Sequence, residues 1–235
     1  MAPERRVPIL QAVLARHAEK GALDWLVGTL PEPNQAFRPA PYFAAYAGAG
    51  RRFRKPGWRP DAESLEALEQ LGLIAPAHWS LDALARAALL LAASEALPFE
   101  AHTDLVEEAF RKGDNDERCA LLKSLSLLPE PGRFLGTATE ASRSHVQEVF
   151  EAIACENPYP AAQFPEQSFN QLVLKALFLE VPLARVEDWR TRCNAELGRM
   201  VCDYEAERLA ARRTVPVDIT EIRDAIEDLG MRSHP

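Results

Sequence analysis

What most limits the folds open to this chain is its punctuation. Prolines and glycines cut it into stretches of about 12 to 17 residues dominated by Leu, Ala, Glu and Arg, all good helix formers. No run alternates apolar and polar residues with Val, Ile and Thr enriched, and no Asn-Gly or Asp-Gly pair offers a hairpin turn. A sheet has nothing to be built from. The chain reads as all-α.

Val7 to Lys20 carries Leu10, Val13, Leu14 and Ala18 at helical spacing, and Ala22 to Leu30 makes a second short helix after Gly21. Residues 33–60 hold prolines at 33, 39, 41, 56 and 60. They read as a Pro/Gly-rich, mostly irregular segment with a short helix around Tyr42 to Ala49. Helices resume over Asp61 to Leu73. Ser80 then suits the N-cap of Leu81 to Ala96, and Phe99 to Lys112 stops at Gly113. Asp114 caps a helix reaching Leu128, and Thr137 with Glu140 has capping-box spacing. Glu166 to Val181 and Trp189 to Arg213 follow, and Asp218 opens the last helix. Nine or ten helices with short connections suit stacked antiparallel pairs, a HEAT-like α-α superhelix. A compact non-repeating helical domain is the alternative.

The 235 residues are enough to bury roughly 70% of the surface an unfolded chain exposes, and are read as a single domain, 1–235. The net charge of −8 argues against nucleic acid and anionic lipid, which reward excess Lys and Arg. Cys119, Cys155, Cys193 and Cys202 lack the spacing of a zinc site or a redox pair. They read as reduced thiols of a cytoplasmic protein. The start, Met-Ala-Pro-Glu-Arg-Arg, lacks the apolar stretch of a signal peptide. Apolar runs such as Ala87 to Ala93 fall far short of the ~20 residues that cross a bilayer.

Familiar catalytic patterns are missing. The histidines at 17, 78, 102, 145 and 234 form no HxxxH or HExxH array, and no nucleophile elbow, phosphate loop or dinucleotide fingerprint occurs. No cofactor is expected.

Two segments remain. Ser168 to Val181 is apolar on almost every side, as a helix inside a protein is, yet it holds Asn170, Gln171 and Lys175. Gln171 and Lys175 are four apart and share a face. The lysine either snorkels to water or points into a pocket, where it pairs with an anion or loses its proton. Upstream, Asn157-Pro-Tyr-Pro160 reads as a chain held extended by its prolines. Tyr159 there is either a packing residue of a rigid connector or a wall beside Asn170 and Lys175. The other segment, Arg51 to Arg59, has five basic residues among nine, with Phe53 and Trp58 between them. Arg51, Arg52 and Arg54 either pair with acidic faces such as Glu63, Glu66 and Glu69, or meet a phosphorylated or acidic metabolite or another protein.

The stretch Asn157-Pro-Tyr-Pro, Phe164, Phe169-Asn-Gln-Leu-Val-Leu-Lys-Ala-Leu-Phe178 and Val181-Pro-Leu183 resembles the EboA family. So do Asn194 to Met200, Asp203-Tyr204 and Glu207-Arg208. The likeness is good over about 145–215, and Phe37 to Trp58 resembles a basic-aromatic segment of the family more loosely. The chain departs from the family at Ala195, where an Asn-Pro pair is common, and at Glu205-Ala206, where Ala-His is frequent, so no role for that histidine carries over.

The resemblance implies a helical, non-catalytic accessory protein that traffics or hands over a secondary-metabolite precursor. Its partners would be a small-molecule metabolite, proteins of the same pathway, or both. A prenyltransferase-like membrane protein is among the family's gene neighbours. Asn157, Tyr159, Asn170, Gln171 and Lys175 are the expected ligand contacts, and Arg51, Arg52 and Arg54 a secondary basic patch. The competing expectations are an enzyme using Lys175 as base or Schiff-base amine, and a pure protein-docking scaffold.

Overall fold

The structure is a computed structural model describing residues 6–33, 35–228 and 230. Among these residues there is no strand. The α-helices run in the order α1 (Arg6–His17), α2 (Lys20–Thr29), α3 (Pro39–Phe53), α4 (Ala62–Gln70), α5 (Leu81–Ala96), α6 (Phe99–Lys112), α7 (Asn115–Ser124), α8 (Leu135–Ser142), α9 (Gln147–Ala154), α10 (Tyr159–Gln163), α11 (Glu166–Phe178), α12 (Ala195–Ala210) and α13 (Asp218–Asp228). The all-α reading is met. There are more helices than expected because the region from 131 to 163 is cut into short pieces. Contacts gather the chain into two compact units, one through Ile153 and the other from Ala154 onward.

The first unit is organised around α5. Ser80 caps it, its hydroxyl accepting from Ala83 N–H at 3.3 Å. Twelve of its sixteen residues are buried, so the helix has no solvent face and must be wrapped on every side. α1, α3, α6 and α7 pack against it. Leu84, Leu89 and Leu90 are fully buried there, each contributing about 2 kcal/mol of transfer free energy. Arg86 is the exception in this apolar helix. Only 3% of its side chain is exposed, and it meets Asp82 at 2.5 Å while donating from Nε to Tyr46 O at 3.2 Å. Gly50 on α3 makes room for it, since a Cβ there would stand 2.7 Å from the guanidinium.

Three local readings are corrected. Residues 39–53 form a full helix rather than a short one within an irregular segment. Pro39 and Pro41 stand in its first turn, where the missing N–H costs nothing, and Tyr42, Ala45, Tyr46, Ala49 and Phe53 make one buried stripe. Tyr46 also ties α3 to α7 by donating to Glu117 O at 3.0 Å. The capping box is built at Asp114 and Glu117, which exchange side-chain bonds with each other's N–H at 2.8 and 3.3 Å. Thr137 instead lies buried inside α8, which continues directly from a 3₁₀ turn at Pro131–Phe134. Finally, the helix expected from Trp189 begins at Ala195, because Asn194 in extended conformation caps it.

In the second unit α11 packs on α12, and α12 on α13. Arg192 holds the entry to α12: its guanidinium donates to Ala161 O and to Phe164 O, the latter at 2.8 Å, and lies over the Phe169 ring. Asp218 accepts from Leu183 N–H at 2.9 Å and fixes the start of α13. Among the described residues no helix is long and apolar enough to cross a membrane, and no group of His, Cys, Asp and Glu could hold a metal ion.

Candidate functional site

α11 buries Phe169, Asn170, Leu172, Val173, Ala176 and Leu177. The opposite stripe, Gln171, Leu174, Lys175 and Phe178, follows the i, i+3/i+4, i+7 spacing of one helix face and stays partly or fully open. Phe178 is 62% exposed. α12 brings Tyr204, Glu207 and Arg208 across from it, at the same helical spacing. Together with Arg213 just beyond, these residues enclose a cleft of about 340 Å³, within the range of small-molecule sites.

The cleft combines apolar and charged lining. Leu174, Phe178 and the Tyr204 ring supply the apolar surface, and Lys175, Arg208 and Arg213 outnumber the single carboxylate, Glu207. Arg208 is held in place: Nε donates to Thr214 O at 2.7 Å, Nη1 to the Tyr204 hydroxyl at 3.2 Å, and Glu180 lies 3.6 Å away. Burial lowers the pKa of the Lys175 ammonium from its ordinary value, since partial removal from water penalises the charged form. A negatively charged group entering the cleft restores that stabilisation.

The expected contacts separate into two sets. Gln171 and Lys175 line the cleft together. Asn170 points to the other side of α11 and is 1% exposed. Its carboxamide exchanges two hydrogen bonds with that of Asn194, at 3.1 and 3.0 Å. Asn194 Oδ1 also accepts from Leu197 N–H at 2.8 Å, and its Nδ2 donates to Arg192 O at 3.1 Å. Asn170 thus positions the cap of α12, and so the far wall of the cleft.

Asn157 and Tyr159 do not reach the cleft either. Asn157 Oδ1 accepts from Tyr159 N–H at 3.0 Å, an Asx turn. Pro158 takes helical dihedrals there and leads into α10. The segment is therefore a turn into a helix, where the sequence suggests an extended connector. Tyr159 is 1% exposed, packs edge-on to Phe164, and burial raises the pKa of its hydroxyl.

Sequence reasoning missed Phe178, Tyr204, Glu207, Arg208 and Arg213 as cleft residues. Tyr204 and Arg208 carry a usable signal, an aromatic and a cation four apart on one helix face. The pairing of that face with Lys175 is tertiary information.

The basic segment is dispersed. The Arg52 guanidinium lies 4.4 Å from the Trp25 ring centroid. Arg54 pairs loosely with Asp116 at 3.5 Å, both well exposed. Arg51 borders a hollow it shares with Asp82, Arg86, Asp114 and Glu117. The acid that meets Arg54 comes from α7, while Glu63, a candidate partner by sequence, pairs with Arg16 at 2.8 Å.

The family model described as "Metabolite traffic protein EboA" matches residues 7–224, nearly the whole chain. No curated protein and no solved structure matches it.

Proposed function

The chain belongs to the EboA family, and from that premise we propose that it is a non-catalytic carrier in metabolite traffic, binding a small amphiphilic molecule in the α11–α12 cleft and passing it to a partner protein of the same pathway. The family description supports a role in metabolite traffic. The observation that carries the finer reading is the open stripe Gln171, Leu174, Lys175 and Phe178 facing Tyr204 and Arg208. An apolar body would lie on Leu174 and Phe178, with its negatively charged head near Lys175 and Arg213. A secondary-metabolite precursor of that polarity, released to a partner, fits a cleft that is open rather than sealed.

A second reading is favoured by one observation, the lowered pKa of Lys175: an enzyme of the pathway that uses this amine as base or Schiff-base nucleophile. Two substitutions separate the readings. Lys175→Arg keeps the cation and removes the nucleophile, so a carrier retains its ligand while an enzyme loses turnover. Lys175→Ala removes both.

The deciding experiment is native mass spectrometry of the protein purified from its own producing cells, before and after denaturation. The carrier reading expects an added mass that leaves on denaturation and is absent from the folded Lys175→Ala variant. A clean protein mass with partner proteins co-purifying overturns it in favour of a docking scaffold.

A further inference from the structure

A different cleft, of about 620 Å³, opens in the first unit between residues 54–59, the Trp79–Ala83 entry to α5, and α7. It shares no residue with the α11–α12 cleft and is independent of the function assigned to that cleft. Its lining gathers four cations, Arg54, Lys55 and Arg59 from one short segment and Lys123 from α7, against two carboxylates, Asp82 and Asp116. In a chain of net charge −8 this is a local reversal of sign.

Of the two carboxylates, Asp82 is held by the buried Arg86 at 2.5 Å, and Asp116 pairs loosely with the exposed Arg54 at 3.5 Å, which leaves the lining with an excess of cations. Three of the cations are positioned by main-chain carbonyls. Lys55 Nζ donates to His17 O at 3.2 Å, Arg59 Nη1 to Trp58 O at 2.8 Å, and Lys123 Nζ to His78 O at 3.1 Å. A carbonyl fixes a cation without cancelling its charge, so Lys55 and Arg59 are held at the cleft as cations. The walls between them are indole: Trp58 and Trp79 are each 7% exposed. The Trp58 N–H is buried with no acceptor, a cost proteins rarely leave standing.

We propose that this cleft is a binding site for a phosphorylated small molecule. A carboxylate presents two oxygens in one plane, whereas a phosphate presents oxygens in several directions and suits ammonium and guanidinium groups reaching it from both the 54–59 segment and α7. The cleft is large enough for a small ligand, and its excess of cations favours an anionic one. The cations converge on a concavity rather than tracking along a surface, which favours a compact ligand over a nucleic-acid backbone.

The test is isothermal titration of the full-length protein at low ionic strength with inorganic pyrophosphate, and with succinate as the dicarboxylate comparison. Pyrophosphate is expected to bind more tightly than succinate and to weaken as salt is raised. Arg59→Gln and Lys123→Gln, both partly or fully exposed positions, should each weaken it roughly tenfold or more, with circular dichroism unchanged. Lys175→Ala should leave it unaltered, which separates this site from the α11–α12 cleft. Absence of pyrophosphate binding, succinate binding as tightly, or full affinity in both Gln variants overturns the proposal.

Discussion

Replacing Asn170 with alanine separates a positioning role from a ligand-binding one. The substitution removes both amide–amide bonds to Asn194, at 3.1 and 3.0 Å, worth about 1 kcal/mol each in net terms. Asn194 keeps the Leu197 N–H and the Arg192 carbonyl, so it is not stranded, and the expected cost is about 2 kcal/mol. Asn194→Ala should be worse. It deletes an N-cap worth about 1 kcal/mol and leaves the 1% exposed Asn170 carboxamide without its partner, about 1–3 kcal/mol more, for a total near ~3 kcal/mol. Removing both side chains strands nothing, so the double variant should cost no more than Asn194→Ala alone. Urea unfolding followed by far-ultraviolet circular dichroism reads this directly. With a denaturant dependence of about 2 kcal/mol/M, the midpoints fall by about 1 M and about 1.5 M. An Asn170→Ala protein within about 0.5 kcal/mol of wild type, or strictly additive costs, would refute the reasoning and return Asn170 to the ligand contacts.

Two further outcomes concern the first unit. Arg86→Met leaves Asp82 beside a helix that is otherwise apolar and should cost about 3–5 kcal/mol, part of it recovered by adding Asp82→Met; equal stability of wild type and Arg86→Met in urea would refute this. His102 is buried, with Nε2 on Leu90 O and Nδ1 facing the Arg133 guanidinium, and burial, reinforced by that charge, pushes its pKa down to about 4. Above about pH 6.5 the imidazole is neutral in both states and its contribution is fully present. Below that the unfolded chain takes up the proton first, so up to ~3 kcal/mol of stability is lost as the pH falls toward about 4. Stability measured against pH should therefore fall more steeply in wild type than in His102→Gln over that window, and parallel curves would count against it.

The fold class and several helix ends could be read from the chain because they depend on local chemistry. Ser80 before Leu81, Gly113 after Lys112 and Asp218 at the start of α13 are signals carried by one or two residues. α3 was harder, since proline reads as a breaker unless its place in the first turn is known, and that depends on where Tyr42, Tyr46 and Phe53 are buried. The site was half legible. The Gln171–Lys175 spacing marks a shared face, and both residues line the cleft. Nothing local distinguishes that face from the one carrying Asn170, because an amide beside a lysine looks the same whether its partner is a ligand or Asn194. The far wall, Tyr204 and Arg208, lies about thirty residues on in sequence and becomes part of the site only through the packing of α11 on α12.

α5 is wrapped on every side, and half of the positions it buries are alanine: 83, 85, 87, 88, 92 and 93. Small side chains let surrounding helices come close, and they leave nowhere for a larger residue to go, since each added methylene in such a setting costs on the order of 1–3 kcal/mol. For anyone diversifying this scaffold, the centre of the first unit is therefore closed to change. A library built on this scaffold should vary exposed positions at the tips around α5, such as Arg54, Lys55 and Arg59, where side chains can grow outward.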